Sequence, residues 1–271
     1  MGIDRGCVML IEFDNPIAFI DDAHPLADAW QDNDEFYGNE TADETRATVY
    51  AGGDDSLVPL AQSFLNQIEA SIDSPQRELL AAPFGGFCVV PEAMQGYPLA
   101  MRRMQRTESD GHPLRVSVCV TSSAGVDCET LARRGAAILS LCMALESVRP
   151  ISLQIHCELS GADETRTTLV TCKIPTAPLS LAQACHLLTH QSIHRRAMFD
   201  LATKYNRSWH QWPRGFVGGS ATDADTPYRI GIRDQLGFTA DDLVIPPVYL
   251  TDQLVRDPVA WINAMVAKYG E

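Results

Sequence analysis

The stretch LRVSVCVTSSAGVDCETLARRGAAILSLCMALESVRPISLQIHCELS, Leu114 to Ser160, decides the fold class. Its first eight residues form a near-continuous β-prone run. Val116, Val118 and Val120 alternate there with Ser117, Cys119 and Thr121, and both sets tolerate burial, as a strand covered on two faces requires. SSAGVD interrupts the run as a loop. Asp127 then stands where a helix N-cap is wanted, with Thr130 three residues on. Leu131, Gly135, Ile138, Cys142 and Leu145 recur as one stripe, so a helix is expected to about Ser147. Arg149-Pro150 stops it, and Ile151–Leu159 reads as the next strand.

Working outward, SGADETR is a hairpin loop and Thr167–Ile174 returns as an antiparallel strand. Pro178-Leu179-Ser180 opens a second helix, expected from Leu181 to about Tyr205. Residues 206–227 read as irregular, Tyr228–Arg233 as a strand, Leu243–Tyr249 as a stronger one, and Pro258–Lys268 as a closing amphipathic helix. Upstream, Leu57, Leu60, Phe64, Leu65 and Ile68 recur at helical spacing, and a short strand is expected near Phe87–Val90. Residues 1–55 lack periodicity beyond one short helix around Pro25–Trp30. The expected organisation is an irregular acidic N-terminal segment, 1–55, and an α/β core domain, 56–271.

Strand, helix, strand, antiparallel strand, helix and later strand make a three-layer α/β fold with a mixed sheet and one antiparallel hairpin strand. That is also the early element order of a von Willebrand factor A domain. That fold holds a metal in an Asp-x-Ser-x-Ser loop after its first strand, and the matching positions here are Cys119, Thr121 and Ser123. The charged oxygen ligand is missing, so no hard divalent cation is expected there.

Charge is unevenly distributed. The 271 residues carry a formal net charge of −14, yet residues 1–55 alone hold 14 acids against Arg5 and Arg46. Residues 100–214 hold 14 Lys and Arg against nine acids, together with six of the seven histidines. The acidic part repels phosphate and the middle attracts it. Residues 1–55 therefore read as a solvated flank or as a docking surface for a basic protein partner. The eight cysteines are dispersed with no CxxC, as reduced, buried thiols would be. Neither a membrane-spanning run nor a signal peptide is expected.

No Walker A, G-x-S-x-G, H-E-x-x-H or G-x-G-x-x-G motif occurs, so an enzyme has the least support. His186, His190 and His194 stand four residues apart on one expected helix face. Two of them could share a metal, but the third would lie about 6 Å further along the axis. With no partner cluster in sequence, the stretch reads as a polar face ending in Arg195-Arg196, and neither metal nor cofactor is expected.

What remains is basic and aromatic. Arg102, Arg103 and Arg106 lie in MRRMQR, Arg133 and Arg134 near the start of the long helix, and Arg195 and Arg196 before KYNRSWHQWPRGF. That last stretch brings Lys204, Tyr205, Arg207, Trp209, Trp212 and Arg214 together. Cations that hold phosphates beside rings that stack on bases are the ingredients of a single-strand binding path. Packed loops and solvated patches are the alternative.

The segment SSAGVDCETLARRGAAILSLCMALESVRP, with the preceding GGFCVVPEAMQGYPLAM, resembles an uncharacterised domain seen in bacteriophage proteins, over about Ser56–Ser160. Together with the basic–aromatic segment, the chain looks like the family of single-stranded-DNA-binding RNA polymerase cofactors of Schitoviridae-type phages. That resemblance implies a protein that binds opened promoters as single-stranded DNA and recruits the phage RNA polymerase in the cytoplasm of the infected bacterial host. The competing expectation is a protein-interaction module with a degenerate von Willebrand A-like fold and no metal site.

Overall fold

The computed structural model describes residues 8–23, 37–68, 77–82, 87–88, 94, 101–106, 113–122, 125–146, 148–160, 167–176, 179–205, 227–248 and 252–270. The chain runs through β1 (Val8–Phe13), α1 (Pro16–Asp22), α2 (Ala42–Tyr50), α3 (Val58–Leu65), β2 (Arg77–Ala82), β3 (Phe87–Cys88) and β4 (Met101–Arg106). It continues with β5 (Leu114–Cys119), α4 (Cys128–Glu146), β6 (Ile151–Ser160), β7 (Thr167–Ile174) and α5 (Leu181–Thr189). A π-helical turn (Ser192–Ala197) leads into α6 (Met198–Tyr205), followed by α7 (Pro227–Leu236), β8 (Leu243–Ile245), α8 (Gln253–Arg256) and α9 (Pro258–Tyr269).

Five strands form one sheet in the order β1-β7-β6-β5-β8, and β2, β4 and β3 form a second, antiparallel one. In the large sheet β6 and β7 are the antiparallel hairpin, and the other pairs are parallel. The order β7-β6-β5-β8 follows from the elements read in the sequence: α4 carries the chain from β5 over to parallel β6, the hairpin adds β7 outside it, and β8 returns to the free side of β5.

Period-two alternation builds the layers. Val116, Val118, Leu153, Ile155, Val170 and Cys172 face one side, where they share one core with Ile138, Leu141 and Leu145 of α4, and α3, α5 and α9 pack in turn on α4. Each such aliphatic side chain contributes about 1.5–3 kcal/mol. On the other side Leu169 and Val244 meet Ile232 of α7, so helices cover both faces. Asp127 caps α4 as expected, its Oδ1 accepting from the Thr130 N–H at 2.7 Å. Among the described residues, no helix is long and apolar enough to cross a membrane.

Three expectations change. Part of the stretch expected to be an irregular acidic segment is an integral part of the fold. β1 pairs with β7 over six residues, and α2 begins with a capping box between Thr41 and Glu44. Tyr228–Arg233 is helical within α7, because Ile232 and Leu236, at helical spacing, pack on the sheet. The single helix expected over Leu181–Tyr205 breaks at His190, whose φ of −86° and ψ of 134° are extended. The His194 ring covers the carbonyl exposed by the break, its Nε2–H donating to Leu188 O at 3.0 Å. The helix expected at Pro25–Trp30 lies outside the described residues.

Candidate nucleic-acid interface

The basic residues singled out by the sequence separate into three groups. The first is consumed inside the protein. Arg134, fully buried, donates through Nη2 to Cys119 O at 3.1 Å and to Pro246 O at 2.7 Å. Arg195, also buried, donates to Val126 O. Arg196 lies over the Tyr37 ring at 4.5 Å and is 8% exposed. Lys204 and Tyr205 both bond the Asp22 carboxylate. As phosphate contacts, Arg134, Arg195, Arg196, Lys204 and Tyr205 are therefore corrected: the three arginines are buried, and Lys204 and Tyr205 are bonded to a carboxylate.

The same contacts explain the uneven charge. Asp22 holds Lys204, Asp14 holds Lys173 at 2.7 Å, and Asp21 holds Arg46 at 2.9 Å. Asp14 and Asp22 thus pair with cations of the middle of the same chain, while Asp21 pairs within residues 1–55, so this part is not only a solvated flank.

Arg134 fills the place where α/β sheets ordinarily bind ligands, the carboxyl ends of strands flanking a reversal of strand order. That place lies here between β5 and β8, where Ser122 bridges to Val248. The Arg134 guanidinium bonds the last carbonyl of β5 and the carbonyl just after β8. Cys119 Sγ and Thr121 Oγ1, two positions of the expected loop, bond each other at 3.0 Å. Ser123, the third, lies outside the described residues. A fixed cation with its donors on these carbonyls opposes a second cation there. Below the crevice the polar face of the sheet is closed by its own network. Gln154 donates to Ser117 Oγ at 3.1 Å, and Ser117 Oγ lies 2.8 Å from His156 Nδ1. Burial pushes His156 down to about 3 and His194 down to about 3, with Arg134 adding to both, so both rings are neutral near pH 7.

The second group is carried on α4 and β4. Arg133 is exposed on α4. Arg102, Arg103 and Arg106 all lie on β4, the central strand of the small sheet. Register places Arg106 opposite Arg77, and Arg102 opposite both Ala81 and Phe87. Positions 77, 87, 102 and 106 therefore share one face, with 103 on the other. Three cationic positions and one aromatic one thus converge from three strands. Sequence reasoning missed Arg77 and Phe87, since only the pairing of distant strands brings them beside MRRMQR. The third group, Arg207, Trp209, Trp212 and Arg214, lies outside the described residues.

A family model described as "Domain of unknown function (DUF7192)" matches residues 5–270. No curated protein and no solved structure matches the chain.

Proposed function

The chain belongs to the DUF7192 family, and we propose that it is a non-enzymatic protein that binds single-stranded DNA across the small-sheet face carrying Arg77, Phe87, Arg102 and Arg106. The observation that carries this reading is the register Arg77↔Arg106 beside Phe87↔Arg102. Like charges directly across a strand pair are destabilising. A phosphate between them turns repulsion into a shared contact, and an adjacent ring offers a sequence-tolerant surface for a base. A duplex hides its base faces and gains only the phosphate contacts, so single strands are preferred.

KYNRSWHQWPRGF extends the same chemistry through Arg207, Trp209, Trp212 and Arg214. In the finer reading, which rests on the resemblance of Ser122–Pro150 to the phage domain, the protein acts in transcription and brings the phage RNA polymerase to opened promoter DNA. Fluorescence anisotropy with matched single- and double-stranded oligonucleotides tests the binding claim. Tighter single-strand binding is expected, with Phe87→Ala weakening it by about 1–3 kcal/mol. Equal binding of both forms, or unchanged affinity in Phe87→Ala, counts against it. Retention of the phage polymerase on protein-coated single strands tests the finer claim separately.

One observation favours a second reading, a protein-interaction module. The ligand crevice between β5 and β8 is filled by Arg134, which leaves the outer surfaces as the places for recognition. A partner captured on the protein with no measurable oligonucleotide binding would select it.

A further inference from the structure

The break in the helix at His190 builds a second constellation, from residues outside the small sheet. His186, in the last turn of α5, is 1% exposed, and neither its Nδ1 nor its Nε2 has a hydrogen-bond partner. His190 stacks on it, with ring centroids 4.9 Å apart and an interplanar angle of 22°. Glu40 approaches from the loop before α2, placing Oε2 at 3.5 Å from His190 Nδ1. Each of the three residues offers a ligand atom within 4.8 Å of the other two.

We propose that Glu40, His186 and His190 form a binding site for one borderline divalent transition-metal ion of the zinc class, which ties the loop before α2 to the end of α5. Two imidazoles and a carboxylate are a donor set that such ions favour over hard cations. Ligand atoms about 2.1 Å from a tetrahedral ion lie about 3.4 Å apart. The Glu40–His190 separation already meets that, and His186 completes the set by turning out of its stack on His190, so that the ion lies in the plane of both rings.

The surroundings hold the ligands in place. Glu40 Oε2 accepts from Ser192 Oγ at 3.1 Å and from Thr45 Oγ1 at 3.2 Å, while Ser192 Oγ, 2.7 Å from His190 Nδ1, yields that nitrogen when it takes the ion. Such outer contacts orient metal ligands. The approach of Glu40 depends on two consecutive left-handed residues, Gly38 at φ 81° and Asn39 at φ 57°. A Cβ on Gly38 would sit 3.2 Å from His190 Cε1, so glycine lets the loop close over the ring. A backbone break stabilised by side chains, a left-handed pair and an unbonded buried imidazole thus converge on one point.

The probe is Co²⁺, whose visible bands report ligand type and geometry, followed by Zn²⁺ competition, on full-length, tag-free protein stripped with chelator. The wild type is expected to take one equivalent, develop tetrahedral or five-coordinate bands, lose them to Zn²⁺ and melt at a higher temperature with Zn²⁺. Glu40→Gln and His190→Gln, with folding checked by circular dichroism, should each weaken Zn²⁺ binding at least about tenfold and remove the thermal shift. His210→Ala, in the aromatic segment, should bind as the wild type does. Absence of one-equivalent binding by the wild type, or equal affinity in the Glu40 and His190 variants, overturns the site. Neither result depends on whether the protein binds DNA.

Discussion

Gly135 stands in the middle of α4, where helix propensity alone favours alanine by about 1 kcal/mol. The packing reverses that sign. A Cβ at Gly135 would lie 2.4 Å from Leu188 O, 2.5 Å from Thr189 Cγ2 and 2.7 Å from Leu188 C. Two of these three atoms are backbone, so no rotamer change relieves the overlap. An ordinary contact requires α4 and α5 to separate by about 1 Å across a close-packed core. Overpacking of this kind costs about 1–3 kcal/mol, sometimes more. An immovable backbone neighbour puts Gly135→Ala at the upper end, for a net loss of about 2 kcal/mol after the propensity gain. That corresponds to a Tm lower by roughly 4–8 °C. Urea unfolding and thermal melts monitored by circular dichroism give both numbers. A neutral or stabilised Gly135→Ala protein would refute the close approach of α4 to α5, and with it the place of the His190 break.

Two other perturbations test different parts of the account. Arg134→Ala removes a guanidinium bonded to two strand-end carbonyls and leaves a cavity, at a cost of about 3 kcal/mol, whereas Arg133→Ala, one residue away and exposed, should stay within about 0.5 kcal/mol in the same denaturation assay. Acid should destabilise the metal-free protein. His156 at about 3, His186 at about 4 and His194 at about 3 stay neutral when folded, while their unfolded counterparts protonate near 6.5. The unfolded state therefore binds more protons, and stability falls as pH drops through that window. Asp200, raised by burial to about 7, opposes one of these histidines, because its stabilising proton is present at low pH and lost as pH rises through 7. The net expectation is a loss of about 2 kcal/mol per pH unit between roughly pH 6 and 5, read as urea midpoints. Equal midpoints at those two values would contradict the buried, neutral histidines.

Legibility followed the range of the interactions. The β5–α4–β6–β7 core was readable because each of its signals is local: alternating valines, the Asp127 cap, the Arg149-Pro150 stop and the hairpin loop. Residues 1–55 were misread because β1 gains its meaning only from β7, and because Asp14, Asp21 and Asp22 look like a solvated acidic flank until Lys173, Arg46 and Lys204 are found beside them. Arg134 and Arg195 looked like surface charge, since nothing nearby in sequence reveals the carbonyls of Pro246 and Val126 that hold them. His186 and His190 were visible as a pair at helical spacing. The third ligand was not, because Glu40 reaches them through a left-handed turn far away in the chain. For the same reason MRRMQR was recognised as basic, but its companions Arg77 and Phe87 came only with strand register.

The central claim, that the small-sheet face binds single-stranded DNA, is tested most directly by affinity for an oligonucleotide measured across a salt series. The wild type is compared with an Arg102→Gln/Arg106→Gln double variant. Log affinity should fall linearly with log salt, and each lost arginine contact should flatten the slope by about 0.7. The double variant should therefore bind more weakly at low salt and converge on the wild type at high salt, with its melting temperature equal or higher, since the Arg77–Arg106 repulsion is removed. No wild-type binding at low salt, or the same slope and affinity in the double variant, would contradict the claim.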